Sequence, residues 1–186
     1  MNLISVFDMR IEQALYAMRD PYLVQFFIWV SEFGSFFDVI LGLTLITAIL
    51  LAYRKRWALV AGLFTSVFGS FTFAYALKEI VARPRPPAPL YAYLETTYSF
   101  PSGHAVFSVA FYFFVLWLVL ATLPSIWRYA ATTAVAVLTL AVGFSRLYHG
   151  VHYPSDVLAG YIIGGFFVLL GIKVAKYLER NTTSAL

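Results

Sequence analysis

Ser145-Arg-Leu-Tyr-His-Gly-Val-His-Tyr-Pro-Ser-Asp156 is the stretch on which the reading of this chain turns. It gathers two histidines, an arginine and an aspartate within twelve positions, between apolar runs at 127–144 and 157–175. Ionisable groups are costly beside hydrocarbon, so charges set between two such runs are read first as a functional site. The spacing also carries chemistry. His152 and Asp156 are four apart, so a helix that begins near Pro154 brings the carboxylate back to one imidazole nitrogen. A carboxylate there fixes which nitrogen holds the proton and leaves the other free to attack. Arg146 adds a planar fork of donors suited to phosphate oxygens. The stretch reads as a nucleophilic histidine beside an anion site.

Composition places that site in a membrane. The chain is 61% hydrophobic and 12% charged, where soluble domains carry roughly 25% charged residues. Apolar runs at 36–53, 57–77, 105–123, 127–144 and 157–175 are each long enough, at ~1.5 Å per residue, to cross a hydrocarbon core of ~30 Å or nearly so. The expected fold is all-α, a polytopic membrane helix bundle of five transmembrane helices forming a single domain over 1–186. There is no cysteine, which excludes disulfides, thiol chemistry and cysteine-ligated metal. The net charge of +4 is a topology signal and does not point to a nucleic-acid partner. Arg54-Lys55-Arg56, Arg128, Lys173, Lys176 and Arg180 fall on one side of a five-span chain, the cytoplasmic side by the positive-inside rule. Lys78, Arg83, Arg85, His104, Arg146, His149, His152 and Asp156 all fall on the other.

Residues 1–20 include Asp8, Arg10, Glu12, Arg19 and Asp20, too many charges for the apolar stretch of a leader. Ile4, Phe7, Ile11, Leu15 and Met18 recur at helical spacing and predict an amphipathic helix on the outer surface. The run Tyr22–Val30 is too short to span and is expected to be interfacial or re-entrant; the alternative is a sixth, tilted span through 12–31. After Lys78 the sequence Arg83-Pro-Arg85-Pro-Pro-Ala-Pro89 cannot continue a helix. The connection it opens, up to Pro101, exceeds the usual loop length, which marks functional or disordered segments. Tyr91, Tyr93 and Tyr98 place it at headgroup level. Pro101-Ser-Gly-His104 then opens the third run with a capping pattern, leaving backbone donors that suit an anion. Gly160, Gly164 and Gly165 form a small-residue ridge for close helix packing.

Three segments thus converge: Lys78 with Arg85-Pro86, Pro101-Ser102-Gly103-His104, and Ser145-Arg146 with His152 and Asp156. In these the sequence resembles the type 2 phosphatidic acid phosphatases, a family that includes bacterial undecaprenyl-diphosphate phosphatases and is related to vanadium haloperoxidases. The family's signature is lysine, six residues, Arg-Pro; then Pro-Ser-Gly-His; then Ser-Arg, five residues, His, three residues, Asp. All three parts are present, in order, over 78–156. The resemblance implies that His152 is the nucleophile that forms a phosphohistidine, oriented by Asp156, and that His104 is the general acid. It implies that Lys78, Arg85, Ser102, Gly103 and Arg146 hold the phosphoryl oxygens, with no metal or other cofactor. The implied activity is hydrolysis of a lipid phosphate or diphosphate, among membrane lipids, at the outer face of a cytoplasmic membrane. The short chain leans toward a polyprenyl diphosphate such as undecaprenyl diphosphate, with phosphatidic acid and phosphatidylglycerophosphate as the open alternatives. Arg83 and His149 lie outside the signature and are read as bystanders. His149, His152 and Asp156 at i, i+3 and i+7 would suit a metal on one helix face, but Gly150 and Pro154 interrupt that helix. The rival from another class is a lipid-phosphate binder, transporter or scramblase, which would keep the arginines and have no need of His152.

Overall fold

The computed structural model describes residues 3–87, 91–93 and 95–183; Ala88 and Pro89, the end of the proline cluster, lie outside them. The described chain forms α1 (Leu3–Ala17), α2 (Pro21–Glu32), a turn of π-helix at Phe36–Ile40 leading into α3 (Leu41–Tyr53), α4 (Trp57–Val81), α5 (Gly103–Leu120), α6 (Ser125–Tyr148) and α7 (Pro154–Thr183). Among the described residues, five helical stretches are long and apolar enough to cross a membrane: Phe36–Tyr53, Trp57–Val81, Gly103–Leu120, Ser125–Tyr148 and Pro154–Asn181. The protein is a multi-pass membrane helix bundle, as its hydropathy predicts. At one end, however, the helices outrun the apolar runs. α4 continues to Val81, α5 begins at Gly103, α6 continues to Tyr148 and α7 begins at Pro154. Those added turns carry Lys78, His104, Arg146 and Asp156.

No sixth span forms through 12–31, because the chain breaks between α1 and α2. Asp20 caps α2, its Oδ1 accepting from the Tyr22 and Leu23 amides at 2.8 and 3.1 Å, and Pro21 takes a first-turn position where its missing donor costs nothing. The Asp20 amide in turn donates to the Tyr148 hydroxyl at 2.8 Å, tying the break to α6. Twelve residues of α2 are too few to span. It lies instead along α6, with Phe27 against Phe144 and Tyr148 at ring separations of 5.3 and 4.9 Å. α1 is amphipathic as expected, but what it buries is its acidic stripe. Asp8 and Glu12 are buried while Leu3, Ile4, Phe7 and Met18 are exposed. That orientation suits a helix with lipid outside and ionic partners inside.

Helix association in a bilayer rests on close packing and interhelical hydrogen bonds more than on expelling water, and α4, α5 and α7 show both. A Cβ on Gly62 would lie 2.6 Å from the Gly171 carbonyl oxygen, so α4 and α7 meet at backbone distance. On the predicted ridge, Gly160 and Gly164 press against α5 at Ala105 and Val109, whereas Gly165 faces nothing within 4 Å. Ser66 on α4 donates to the Ala110 carbonyl on α5 at 2.7 Å. Beside them Phe36, Ile40, Leu63, Val67, Phe111 and Phe114 form the buried core. At the far end of the bundle from Lys78 and His152, Arg56 pairs with Glu179 at 2.8 Å.

Candidate active site

Four helix ends meet at the site end. α4 and α6 contribute their C-terminal turns, where Lys78 and Arg146 sit; partial negative charge there favours a cation. α5 and α7 contribute their N-terminal turns, with Gly103 and His104 on one and Asp156 on the other. α4 ends where Ala82 adopts a left-handed conformation (φ 46°) and its amide donates to the Lys78 carbonyl at 2.9 Å. The extended Arg83-Pro-Arg85-Pro segment then runs across the site.

Lys78, Arg85, Gly103, His104, Arg146 and His152 line one cavity of about 190 Å³, whose other wall is aromatic, including Phe36, Phe71 and Phe107. A half-cationic, half-apolar pocket at a membrane helix end suits a charged group on a lipid. The Arg85 Nη1 lies 3.3 Å from His152 Nε2. A guanidinium can only donate, so that contact requires Nε2 to be the unprotonated nitrogen and puts the ring proton on Nδ1. Nδ1 faces Asp156 Oδ2 at 3.7 Å, beyond hydrogen-bond range but close enough for the carboxylate to stabilise the proton there. The tautomer therefore aims the lone pair of Nε2 at the cations. Burial lowers the pKa of His152 well below its ordinary value, and the charges of Arg85, Arg146 and Lys78 lower it further. Both effects favour the neutral imidazole.

Asp156 is held from behind. Its Oδ1 pairs with Arg83 Nη1 at 2.5 Å and its Oδ2 accepts the Tyr153 amide at 3.0 Å, an acid in the first turn of α7 reaching back to the residue before it. Arg83 Nη2 continues to Asp8 Oδ2 at 2.7 Å, and Asp8 also accepts from the Ser155 amide at 3.0 Å and the Ser155 hydroxyl at 2.5 Å. Sequence reasoning set Arg83 aside and gave Asp8 no role, yet these two link α1 to the aspartate behind His152. The i, i+4 pair of acids Asp8 and Glu12, away from the apolar face of α1, was the signal available. Ser102 departs from the capping expectation. It precedes α5, but its side chain makes no capping bond; it is buried without a partner for Oγ, and its amide donates to the Asp156 carbonyl at 3.1 Å. Gly103, its neighbour, reaches the cavity wall. His149 is buried edge-on to Tyr93 at 5.2 Å, and burial first, then Arg146, lowers its pKa to about 4.

The long connection before α5 contributes directly. The Tyr98 carbonyl accepts from Lys78 at 2.6 Å, the Thr97 carbonyl from Arg85 Nε at 2.6 Å, and the Tyr93 hydroxyl from Arg146. Glu95 is also there, a residue to which sequence reasoning gave no part: its Oε1 lies 2.5 Å from Arg146 Nη2 and its Oε2 3.5 Å from Arg85 Nη2. A second cavity of about 380 Å³ adjoins the first at His104, Arg146 and Glu95 and is lined by Ser31, Glu32, Ser35, Asp38 and Tyr93. His152 and Lys78 do not line it.

A chamber half cationic and half apolar, set among the ends of membrane-spanning helices with cations grouped in front of a histidine, suits an integral membrane enzyme of anionic lipid groups. The comparison with known proteins gives that class its family. The model of the PAP2 superfamily matches residues 55–180, and the chain belongs to that superfamily. It is 29% identical over 187 residues to phosphatidylglycerophosphatase B of Bacillus subtilis, covering 96% of this chain and 90% of the relative. It is 32% identical to an undecaprenyl-diphosphatase of Sulfolobus acidocaldarius, covering 69% and 61%. It is 36% identical to decaprenylphosphoryl-5-phosphoribose phosphatase of Mycobacterium tuberculosis, covering 73% and 71%. The fold superposes on the crystal structure of a transmembrane PAP2-type phosphatidylglycerolphosphate phosphatase from Bacillus subtilis with a TM-score of 0.84 and 27% identity, covering 97% of this chain and 88% of that one. The protein is a phosphatase.

Proposed function

We propose that this phosphatase removes the terminal phosphate of a membrane lipid by transfer to His152 Nε2 and then to water. The observation that carries the proposal is the shared cavity of His152 and three cations, with His152 held in the attacking tautomer between Arg85 and Asp156. Charge on a transferring phosphoryl group spreads over its equatorial oxygens, so positioned cations supply most of what the reaction needs. Lys78, Arg85 and Arg146 take that part. Nε2 forms the bond to phosphorus as the bond to the leaving oxygen breaks, and His104 gives that oxygen its proton. Water then attacks the phosphohistidine and releases inorganic phosphate.

The leaving group lies opposite the nucleophile in an in-line transfer. The second cavity shares His104 with the first but not His152, so it is the leaving-group side. Beside the shared Arg146, its hydroxyls and carboxylates suit a hydroxylated spacer such as glycerol at the leaving oxygen and oppose a second phosphate joined directly to the first. That favours phosphatidylglycerophosphate over polyprenyl diphosphate, the reverse of the lean taken from chain length, and agrees with the near full-length likeness to phosphatidylglycerophosphatase B. The site faces the outside of a cytoplasmic membrane, supported by the basic residues at the bundle's other end. The test is release of inorganic phosphate from phosphatidylglycerophosphate, phosphatidic acid and polyprenyl diphosphate by the wild type and by His152→Ala. The expected result is fastest turnover of the first lipid and loss of all three in the variant. Absence of phosphate release from any of them refutes hydrolysis and favours a lipid-phosphate binder or scramblase; a preference for the diphosphate overturns the headgroup assignment alone.

A further inference from the structure

Glu95 occupies a position that the chemistry does not ask for. Its carboxylate spans Arg146 and Arg85, at 2.5 and 3.5 Å, the two guanidinium groups that present forks into the cavity. A carboxylate and a phosphoryl group offer such forks the same thing, paired oxygens bearing negative charge. Glu95 therefore stands where phosphoryl oxygens would have to sit. It is also the ionisable group of the seat with most access to solvent, its side chain 25% exposed against 5% for Arg85 and 2% for Arg146. It is carried by the same connection that satisfies Lys78 through Tyr98 and Arg85 through Thr97. The seat is thus closed by a self-supplied anion that can leave outward.

Charge decides what can displace it. Lys78, Arg85 and Arg146 are three positive charges, and Glu95 answers one of them. A ligand with a single negative charge gains from the seat about what Glu95 already gains, and has the added cost of being held there. A terminal phosphate monoester carries close to two charges near neutral pH and gains more than the carboxylate gives up. Phosphodiester lipids, each with one charge on the phosphate, surround the protein in any phospholipid membrane. We propose that Glu95 is a specificity gate that holds the phosphoryl seat closed to phosphodiester lipids and yields it to terminal phosphate monoesters. The inference rests on the reading of this cavity as the phosphate site.

Equilibrium binding tests it without turnover. Inorganic phosphate and phosphatidylmethanol, a lipid phosphodiester with no headgroup donors, are titrated into the full-length protein in neutral-detergent micelles, for wild type, Glu95→Gln and Glu95→Asp. Wild type is expected to bind phosphate and to bind phosphatidylmethanol weakly. Glu95→Gln, which keeps the shape and loses the charge, should bind phosphatidylmethanol tighter by about tenfold or more, a change worth ~1.4 kcal/mol, and phosphate by a similar factor, because either ligand must displace the carboxylate. Glu95→Asp, one methylene too short to span both guanidinium groups, should fall between them and serves alone if the glutamine variant does not fold. A residue that merely supports the loop predicts the opposite sign, because damage to the seat weakens binding. Unchanged or weaker binding of either ligand in the variants overturns the gate. Failure of wild type and variants to bind phosphate at all overturns it together with the site. Phosphate release from lipids, measured separately, shows whether hydrolysis stands when the gate does not.

Discussion

Arg83 and Arg85 are two residues apart on one extended segment, and the regions they serve differ in kind. Behind His152, Arg83 is bound to two buried carboxylates, Asp156 at 2.5 Å and Asp8 at 2.7 Å, and its guanidinium lies 4.2 Å from the Tyr153 ring centroid. In front, Arg85 donates to the carbonyls of Thr97 and Val151 at 2.6 Å each and meets a carboxylate, Glu95, at 3.5 Å. The rear arginine is neutralised and fixed. The forward one keeps net charge to offer a ligand. On the proposed reading the same side chain serves as structure on one side of an imidazole and as binding charge on the other, and the partners alone make the difference.

The largest effect that can sharpen this contrast is on the front, at His104. An alkoxide leaving from phosphatidic acid needs a proton, whereas the phosphate leaving from a polyprenyl diphosphate, with a second pKa of about 6, needs little help. His104→Ala should lower single-turnover hydrolysis of phosphatidic acid by roughly 10²–10⁴-fold, with a much smaller loss on the diphosphate. Equal losses would assign His104 to binding or packing.

The arginines themselves give a crossed prediction. Arg85→Ala should cut kcat/KM by roughly 10²-fold or more, the loss of a charged contact to the transferring group, with thermal stability in detergent almost unchanged. Arg83→Ala strands Asp8 and Asp156, both buried, and should cost about 3 kcal/mol of stability. Matching profiles for the two variants would break the contrast between front and rear.

A smaller effect concerns pH. Because burial and then the three cations hold the His152 pKa low, the acid limb of kcat/KM should lie below the ordinary imidazole range. Arg85→Gln removes one of those charges, so the His152 pKa should rise and the limb should move to higher pH. A limb that stays in place would mean that Arg85 does not act on His152.

The smallest is at the rear, in α1. Burial raises the Glu12 pKa from 4.5 to about 8, with Arg19 opposing and Asp156 and Asp8 adding to it. The folded chain holds that proton when the unfolded chain has released it, so this group's contribution to stability is complete below about pH 4.5 and is lost as pH rises through about 8. Glu12→Gln needs no proton. Its Tm should match the wild type near pH 5 and exceed it near pH 9; a constant difference across that range would place the effect in packing.

Much of this was legible in the sequence, and its gaps have a common cause. Five apolar runs gave the spans because a bilayer imposes length and composition. Hydropathy underestimated α4, α5, α6 and α7 at one end, since the turns that complete them hold Lys78, His104, Arg146 and Asp156, and polar residues end an apolar run without ending a helix. The signature spacing singled out Lys78, Arg85, Gly103, His104, Arg146 and His152, which line the cavity; Asp156 lies behind His152, and Ser102 is buried with its hydroxyl unpartnered. Arg83, Asp8 and Glu95 escaped because each acts through a partner 51 to 75 positions away, and no local period marks such pairs.

Trapping the covalent intermediate tests the central claim most directly. Protein mixed with a lipid substrate labelled in its terminal phosphate and quenched in base should carry label that is stable to base, released by acid and located on His152. That label should be absent from His152→Ala. Label on another residue, or full turnover by His152→Ala, would contradict the role assigned to His152 and with it the reading of the front and rear of the site.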